Sequence, residues 1–192
     1  MVDYTLNPQS PLDEIKLKYG KEVNAELASQ AIVSIAIPKG GRNILSEALM
    51  SSFKIDIPAV GESTTSKIMS ARLLGMQQDQ IFLLSDYTGP SAVKRLPTEV
   101  QEAAYMTDQS DSWVAISVFG AKARSTLQRT CPVDLHPTTF QTGKVIRTVM
   151  NHISTVILCV TPNSFLLLSP RSSSKSFLKI LQTSFERICE PI

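Results

Sequence analysis

What this sequence has little of limits its chemistry. Cysteine occurs three times in 192 residues, at Cys131, Cys159 and Cys189, an odd number at wide spacing with no Cys-x-x-Cys pair. That argues against a disulfide framework and for small buried groups or free thiols. Histidine occurs twice, at His136 and His152, neither at ligand spacing from a second ligand, so no metal site is expected. Glycine-rich phosphate cradles are missing. Pro38-Lys-Gly-Gly-Arg42 precedes a helical stretch, but its glycines are not at dinucleotide or nucleotide-loop spacing. No apolar run approaches the roughly 18 residues that span a bilayer. Met1 to Asp13 has no basic region followed by an apolar one, as a secretory signal would. The expectation is a cytoplasmic protein without a membrane partner. A charge imbalance is missing too: 19 basic against 17 acidic residues leave +2, with no Lys/Arg block, so no nucleic-acid partner is expected.

Apolar residues are plentiful. A hydrophobic share of 43% and a mean hydropathy near zero suffice for the core of one compact unit. Residues 1–29 read as an N-terminal arm with two prolines followed by an irregular segment, with possible short strands between Leu12 and Leu27. Residues 30–112 form a first lobe. Its strand Ala31–Ile37 precedes a helix capped by Asn43 and ending near Phe53. After a turn region at Pro58–Thr65, strands at 67–74 and 80–84 are joined by Gly75-Met-Gln-Gln-Asp79. A short helix at 91–96 and a strand at 100–107 complete the lobe. This order is that of the split βαβ, ferredoxin-like arrangement.

Residues 113–192 form a second lobe. Val114, Ile116 and Val118 alternate along a strand at 113–119. Gly120 turns the chain into a helix at 121–130, which Pro132 stops. Strands at 145–150, 153–160 and 165–168 precede a last helix with Phe177, Leu181 and Phe185 on one face. The expected fold is α+β, two ferredoxin-like lobes with antiparallel sheets.

Catalytic candidates are few. Asp134 stands two residues before His136 and could orient an imidazole for base work. With no serine or cysteine nucleophile motif nearby, a polar turn is the expected role. Cys131 falls at a helix C-terminus, where the dipole disfavours a thiolate. Arg171-Ser-Ser-Ser-Lys175 could hold an anion, but serine-rich capping of the last helix explains it equally well. Trp113 and the aliphatic strands are most simply core, and a small protein without catalytic equipment works by binding.

Gly120-Ala-Lys-Ala-Arg124, Leu127, Cys131-Pro-Val-Asp-Leu-His-Pro137, Arg147-Thr148, Phe165-Leu-Leu-Leu168, Pro170-Arg171-Ser172 and Phe177-Leu178 together resemble the gamma-subunit family of heterotetrameric sarcosine oxidases. Gly40-Gly-Arg42, Ile57-Pro58 and Gln80-Ile-Phe-Leu-Leu84 follow the family more loosely, and Gly75-Met-Gln-Gln-Asp-Gln80 departs from it. The resemblance singles out Gly120, Ala123, Arg124, Leu127, Asp134, Leu135, His136 and Pro137 as a signature of structural residues. It implies a noncatalytic subunit with alpha, beta and delta partners. That complex turns sarcosine, oxygen and tetrahydrofolate into glycine, hydrogen peroxide and 5,10-methylenetetrahydrofolate. FAD, FMN, NAD and the folate site would belong to alpha and beta and zinc to delta, with no cofactor on this chain. The fold implied is like the folate-binding domain of the glycine-cleavage T protein. This keeps open an alternative, a folate-binding or one-carbon transfer module of the aminomethyltransferase type.

Overall fold

A computed structural model describes residues 10–12, 16–87, 89 and 91–189. Most of the proposed N-terminal arm, residues 1–9 and 13, lies outside the described residues, but Leu12 is buried in the core. The first part of the chain runs β1 (Lys16–Tyr19), β2 (Val23–Ala28), β3 (Ala31–Ala36), α1 (Arg42–Phe53), β4 (Ser63–Thr65), β5 (Ala71–Gln77), β6 (Gln80–Ser85), α2 (Thr98–Ala103) and β7 (Tyr105–Asp108). The rest runs β8 (Trp113–Phe119), α3 (Ala123–Gln128), β9 (Val145–Met150), β10 (Ile153–Thr161), β11 (Ser164–Pro170) and α4 (Ser174–Cys189). The architecture is α+β with two antiparallel sheets.

Alternation along each strand builds four layers. On β3, β5 and β6, Val33, Ile35, Leu73, Ile81 and Leu83 face α1 and α2, which contribute Leu45, Leu49 and Val100. Their neighbours Ile32, Leu74, Phe82 and Leu84 face the other sheet, against Val145, Val156, Leu158, Leu166 and Leu168. That sheet turns Ile116, Val118, Ile157, Phe165 and Leu167 toward α3 and α4, which supply Leu127, Phe177, Leu181 and Phe185. Both faces of the central strands are buried. This is why Ile81-Phe-Leu-Leu84 and Phe165-Leu-Leu-Leu168 are continuously apolar rather than alternating. Each fully buried Phe contributes about 2–3 kcal/mol of burial.

The first sheet has the order β4-β5-β6-β3-β7. With β4 set aside, this is the split βαβ order. The second has the order β1-β2-β8-β11-β10-β9, which corrects the expectation of a second split unit. Tight turns after β9 and β10 force β9 to pair with β10 and β10 with β11, and it is β11 that lies on β8. Residues 16–28, read as irregular with possible short strands, form an antiparallel hairpin whose β2 completes the same sheet against β8. The first lobe is therefore inserted between two adjacent strands of the second sheet. Backbone and side-chain ties close the junction: Val145 N–H donates to Gly61 O at 2.9 Å, Ser63 Oγ donates to Gly143 O at 2.9 Å, and Lys144 pairs with Glu62 at 2.7 Å.

Several local expectations shift. Gly41, not Asn43, stands at the α1 N-cap, without a side-chain cap. Residues 67–70 form a bend rather than a strand, and the hairpin turn is Gln78-Asp79. A strand was expected at 100–107, but residues 98–103 are helical and only 105–108 extended. Pro97 precedes the first helical residue, where its missing N–H costs nothing, and Glu99 in the first turn suits the helix dipole. Gly75 is needed because the 59–62 loop crosses it: a Cβ there would meet Ala59 O at 2.1 Å.

Two substitutions test this geometry. Gly120 has φ +125° and an added Cβ would meet Glu22 O at 2.5 Å, so Gly120→Ala should destabilise the chain by about 2–3 kcal/mol in urea unfolding. Asn151 and His152, the β9–β10 turn, have φ of 47° and 71°, the left-handed pair for which Asn-Gly is preferred. His152→Gly should therefore stabilise by about 1 kcal/mol and raise Tm by about 2–4 °C.

Candidate functional site

The signature residues converge on one corner of the second lobe, where the chain leaves β8, makes α3 and crosses to β9. Gly120 N–H donates to Asn163 O at 3.0 Å, which fixes the start of the turn. Ala123, Leu127 and Leu135 are fully buried. Arg124 links the segments around it. Its Nη1 donates to Leu135 O and to Phe140 O at 3.0 Å, and its Nη2 donates to Pro162 O at 3.0 Å. The guanidinium lies 4.9 Å from the Phe165 ring centroid. One planar cation thus serves three backbone carbonyls from two loops and stacks on an aromatic face, as a lysine cannot.

Asp134 and His136 are exposed and occupied locally. Asp134 Oδ1 accepts the His136 N–H at 2.8 Å. That bond, followed by one from the Thr139 side chain, holds the Asp134 carboxyl below its usual range. The His136 imidazole Nδ1 meets Thr138 Oγ1 at 2.8 Å, while its carbonyl accepts the N–H groups of Thr139 and Phe140. Pro137 is exposed within this turn. The Asp134 carboxylate binds the His136 main chain, not its ring, so the pair makes a turn and not a base with its orienter. Cys131 is buried, which pushes its thiol pKa up and disfavours a nucleophilic thiolate. Arg171 pairs with Asp111 at 3.3 Å, and α4 is entered through a 3₁₀ turn at Arg171–Ser173. Among the described residues, no group of three or more His, Cys, Asp or Glu side chains is placed to hold a metal ion.

One feature that the sequence pattern did not single out is a cavity of about 280 Å³ between the sheets, lined by Arg72, Ser70, Asp86, Ser117, Ser164 and neighbouring apolar residues. Arg72 is partly buried, and desolvation lowers its pKa. The available signal is its position: it shares a strand face with Leu74 and Met76, which pack between the sheets, so an arginine there interrupts an inward row. Asp86 accepts from Gln30 at 3.0 Å and from Ser70, leaving it a role at the cavity rim.

No family model matches the chain, and no curated protein matches it. Among solved structures, the fold is shared with two proteins of known name. Crystalline glycine cleavage system aminomethyltransferase T from Bartonella henselae aligns at a TM-score of 0.60 and 12% identity, over 84% of this chain and 46% of that one. Heterotetrameric sarcosine oxidase from Corynebacterium sp. U-96, in complex with pyrrole 2-carboxylate, aligns at a TM-score of 0.76 and 21% identity. That alignment covers 90% of this chain and 89% of that one. At these identities the likeness is one of fold. Among the described residues, no helix is long and apolar enough to cross a membrane.

Arg124→Met should leave three carbonyls without their donor and destabilise the chain by about 2–4 kcal/mol, with Arg124→Lys recovering only part. Asp134 gives an acid signature. Because its folded pKa is depressed, its contribution is present above the ordinary Asp value of about 3.8 and is lost as the pH falls through the folded value. The drop in unfolding midpoint between pH 7 and pH 3 should be smaller in Asp134→Asn than in the parent.

Proposed function

We propose that this chain is a noncatalytic gamma subunit of a heterotetrameric sarcosine oxidase. The observation that carries the reading is the extent of the fold match: 90% of this chain against 89% of a chain of that oxidase, compared with 46% of aminomethyltransferase T. The alignment thus spans most of the neighbour's chain in one case and less than half of it in the other. The use of the signature residues supports the same reading, since Arg124, Asp134 and His136 are spent on internal ties.

In this reading alpha, beta and delta companions carry the chemistry of converting sarcosine, oxygen and tetrahydrofolate into glycine, hydrogen peroxide and 5,10-methylenetetrahydrofolate. FAD, FMN, NAD, folate and zinc are assigned to those companions. In this reading this chain holds none of them, which the turn ahead of α1 supports: it lacks dinucleotide spacing, and its Arg42 donates instead to Gln78 O and Pro58 O. The chain contributes shape and buried surface in a cytoplasmic assembly.

The alternative, a folate-binding or one-carbon transfer module, draws on the aminomethyltransferase fold and on Arg72 in the inter-sheet cavity. At about 280 Å³ that cavity falls just under the roughly 300–1,000 Å³ of small-molecule sites, which favours the subunit reading.

Co-expression with sarcosine oxidase alpha, beta and delta subunits should yield a yellow complex containing this chain, active with sarcosine. The chain alone should be colourless and produce no peroxide. Sarcosine-dependent peroxide from the isolated chain, or failure to enter the complex, would overturn the proposal. Tetrahydrofolate binding by the isolated chain tighter than about millimolar, lost in Arg72→Met, would favour the alternative.

A further inference from the structure

A groove of about 560 Å³ runs along the outer face of α4, opposite the end of α3 and the β9–β10 turn. The helix side follows from α4's periodicity. Phe177, Leu181 and Phe185 point into the core, so Lys179, Thr183 and Arg187, spaced four apart, form a separate row that lines the groove. The opposite wall carries Arg129, just past the C-terminal end of α3, and Asn151, whose N–H donates to Thr130 O at 3.2 Å and joins the two parts of that wall. Ile153 and Ile180 give the groove an apolar component.

The charges are one-sided. Arg129, Lys179 and Arg187 all line the groove and no carboxylate does. Three other cations of this chain are ion-paired, Lys122 with Glu22, Lys144 with Glu62 and Arg171 with Asp111. Among the described residues the three groove cations have no ion pair or hydrogen-bond partner. Glu186, the only acidic residue of α4, points away and accepts from Tyr19 Oη and Gln182. Three like charges held together are mutually repulsive, and a ligand bearing carboxylates relieves that repulsion.

We infer that this groove is the docking site for an acidic segment of a companion polypeptide, its carboxylates meeting Lys179, Arg187 and Arg129 and its apolar side chains covering Ile153 and Ile180. This deepens, and rests on, the reading of the chain as a subunit. A peptide suits the groove better than a nucleic acid, because the apolar floor has no aromatic ring on which a base could stack.

Two measurements test it. In the first, the full chain is titrated by fluorescence anisotropy with a labelled peptide of alternating Glu and Leu, its Gln-Leu counterpart and an oligothymidylate. The acidic peptide should bind, and the neutral one about tenfold or more weaker. Lys179→Glu/Arg187→Glu should weaken the acidic peptide about tenfold, whereas Lys175→Glu, outside the groove, should not. No acidic-peptide binding, an unchanged affinity in the double variant, or tighter binding of the oligothymidylate would overturn the inference. In the second, acetic anhydride labelling of Lys179 is compared between the isolated chain and the co-expressed complex. Several-fold protection in the complex is expected. If the complex forms and Lys179 labels as in the free chain, the groove is not the interface although the subunit reading stands. If no complex forms, the subunit reading fails and the peptide titration alone decides the groove.

Discussion

The packing of one sheet on the other is the constraint from which the rest of the structure follows. Ile32, Leu74, Phe82 and Leu84 on one side and Val156, Leu158, Leu166 and Leu168 on the other form an apolar layer that neither lobe could bury alone. Each lobe also has to cover its outer face with helices, so the central strands must be apolar on both sides. Little room remains there for polar chemistry. Arg72 at the margin of the layer is partly buried, and desolvation there lowers its pKa, the direction in which burial moves a cation.

Polar groups are instead spent where the chain changes direction. Arg124 takes up carbonyls that the 131–144 loop and the β10–β11 turn would otherwise leave without donors. Asp134 does the same for the amide of His136. A conserving use of this kind turns a long connection into a fixed part of the surface. It also explains why Asp134 and His136, close in sequence, do not pair as imidazole and orienter: the carboxylate accepts from the His136 main chain and the ring meets Thr138 Oγ1.

How much of this was legible in the residues depended on which physical signal each element carries. Strands β3, β6, β8, β10 and β11 and helices α1 and α4 were readable because periodicity and length agree in them. The 98–103 helix was not, since Val100 and its neighbours form too short a stretch for periodicity to separate helix from strand. The β1–β2 hairpin was obscured by charged residues that suit its edge position. Strand order in the second sheet depends on which distant strand lies on β8, and no local pattern encodes that. In the candidate site, the polar turn at Asp134 was legible from spacing. The Arg124 contacts were not, since its acceptors at 135, 140 and 162 are backbone atoms with no residue-type signal. Nor were the groove cations, because Arg129 meets Lys179 and Arg187 only through the docking of α4.

The insertion of the first lobe between β2 and β8 has a kinetic consequence. Asn24 pairs with Phe119 and Ala28 with Ala115, so during synthesis the β1–β2 hairpin leaves the ribosome long before the strand that receives it. Its inward residues Val23 and Ala25 remain uncovered while the whole inserted lobe is translated. Closure of that long loop then becomes a late, entropically expensive event. In the interval a second nascent copy could offer its own β8 to the waiting hairpin, so strand exchange between copies is the characteristic misassembly of this architecture.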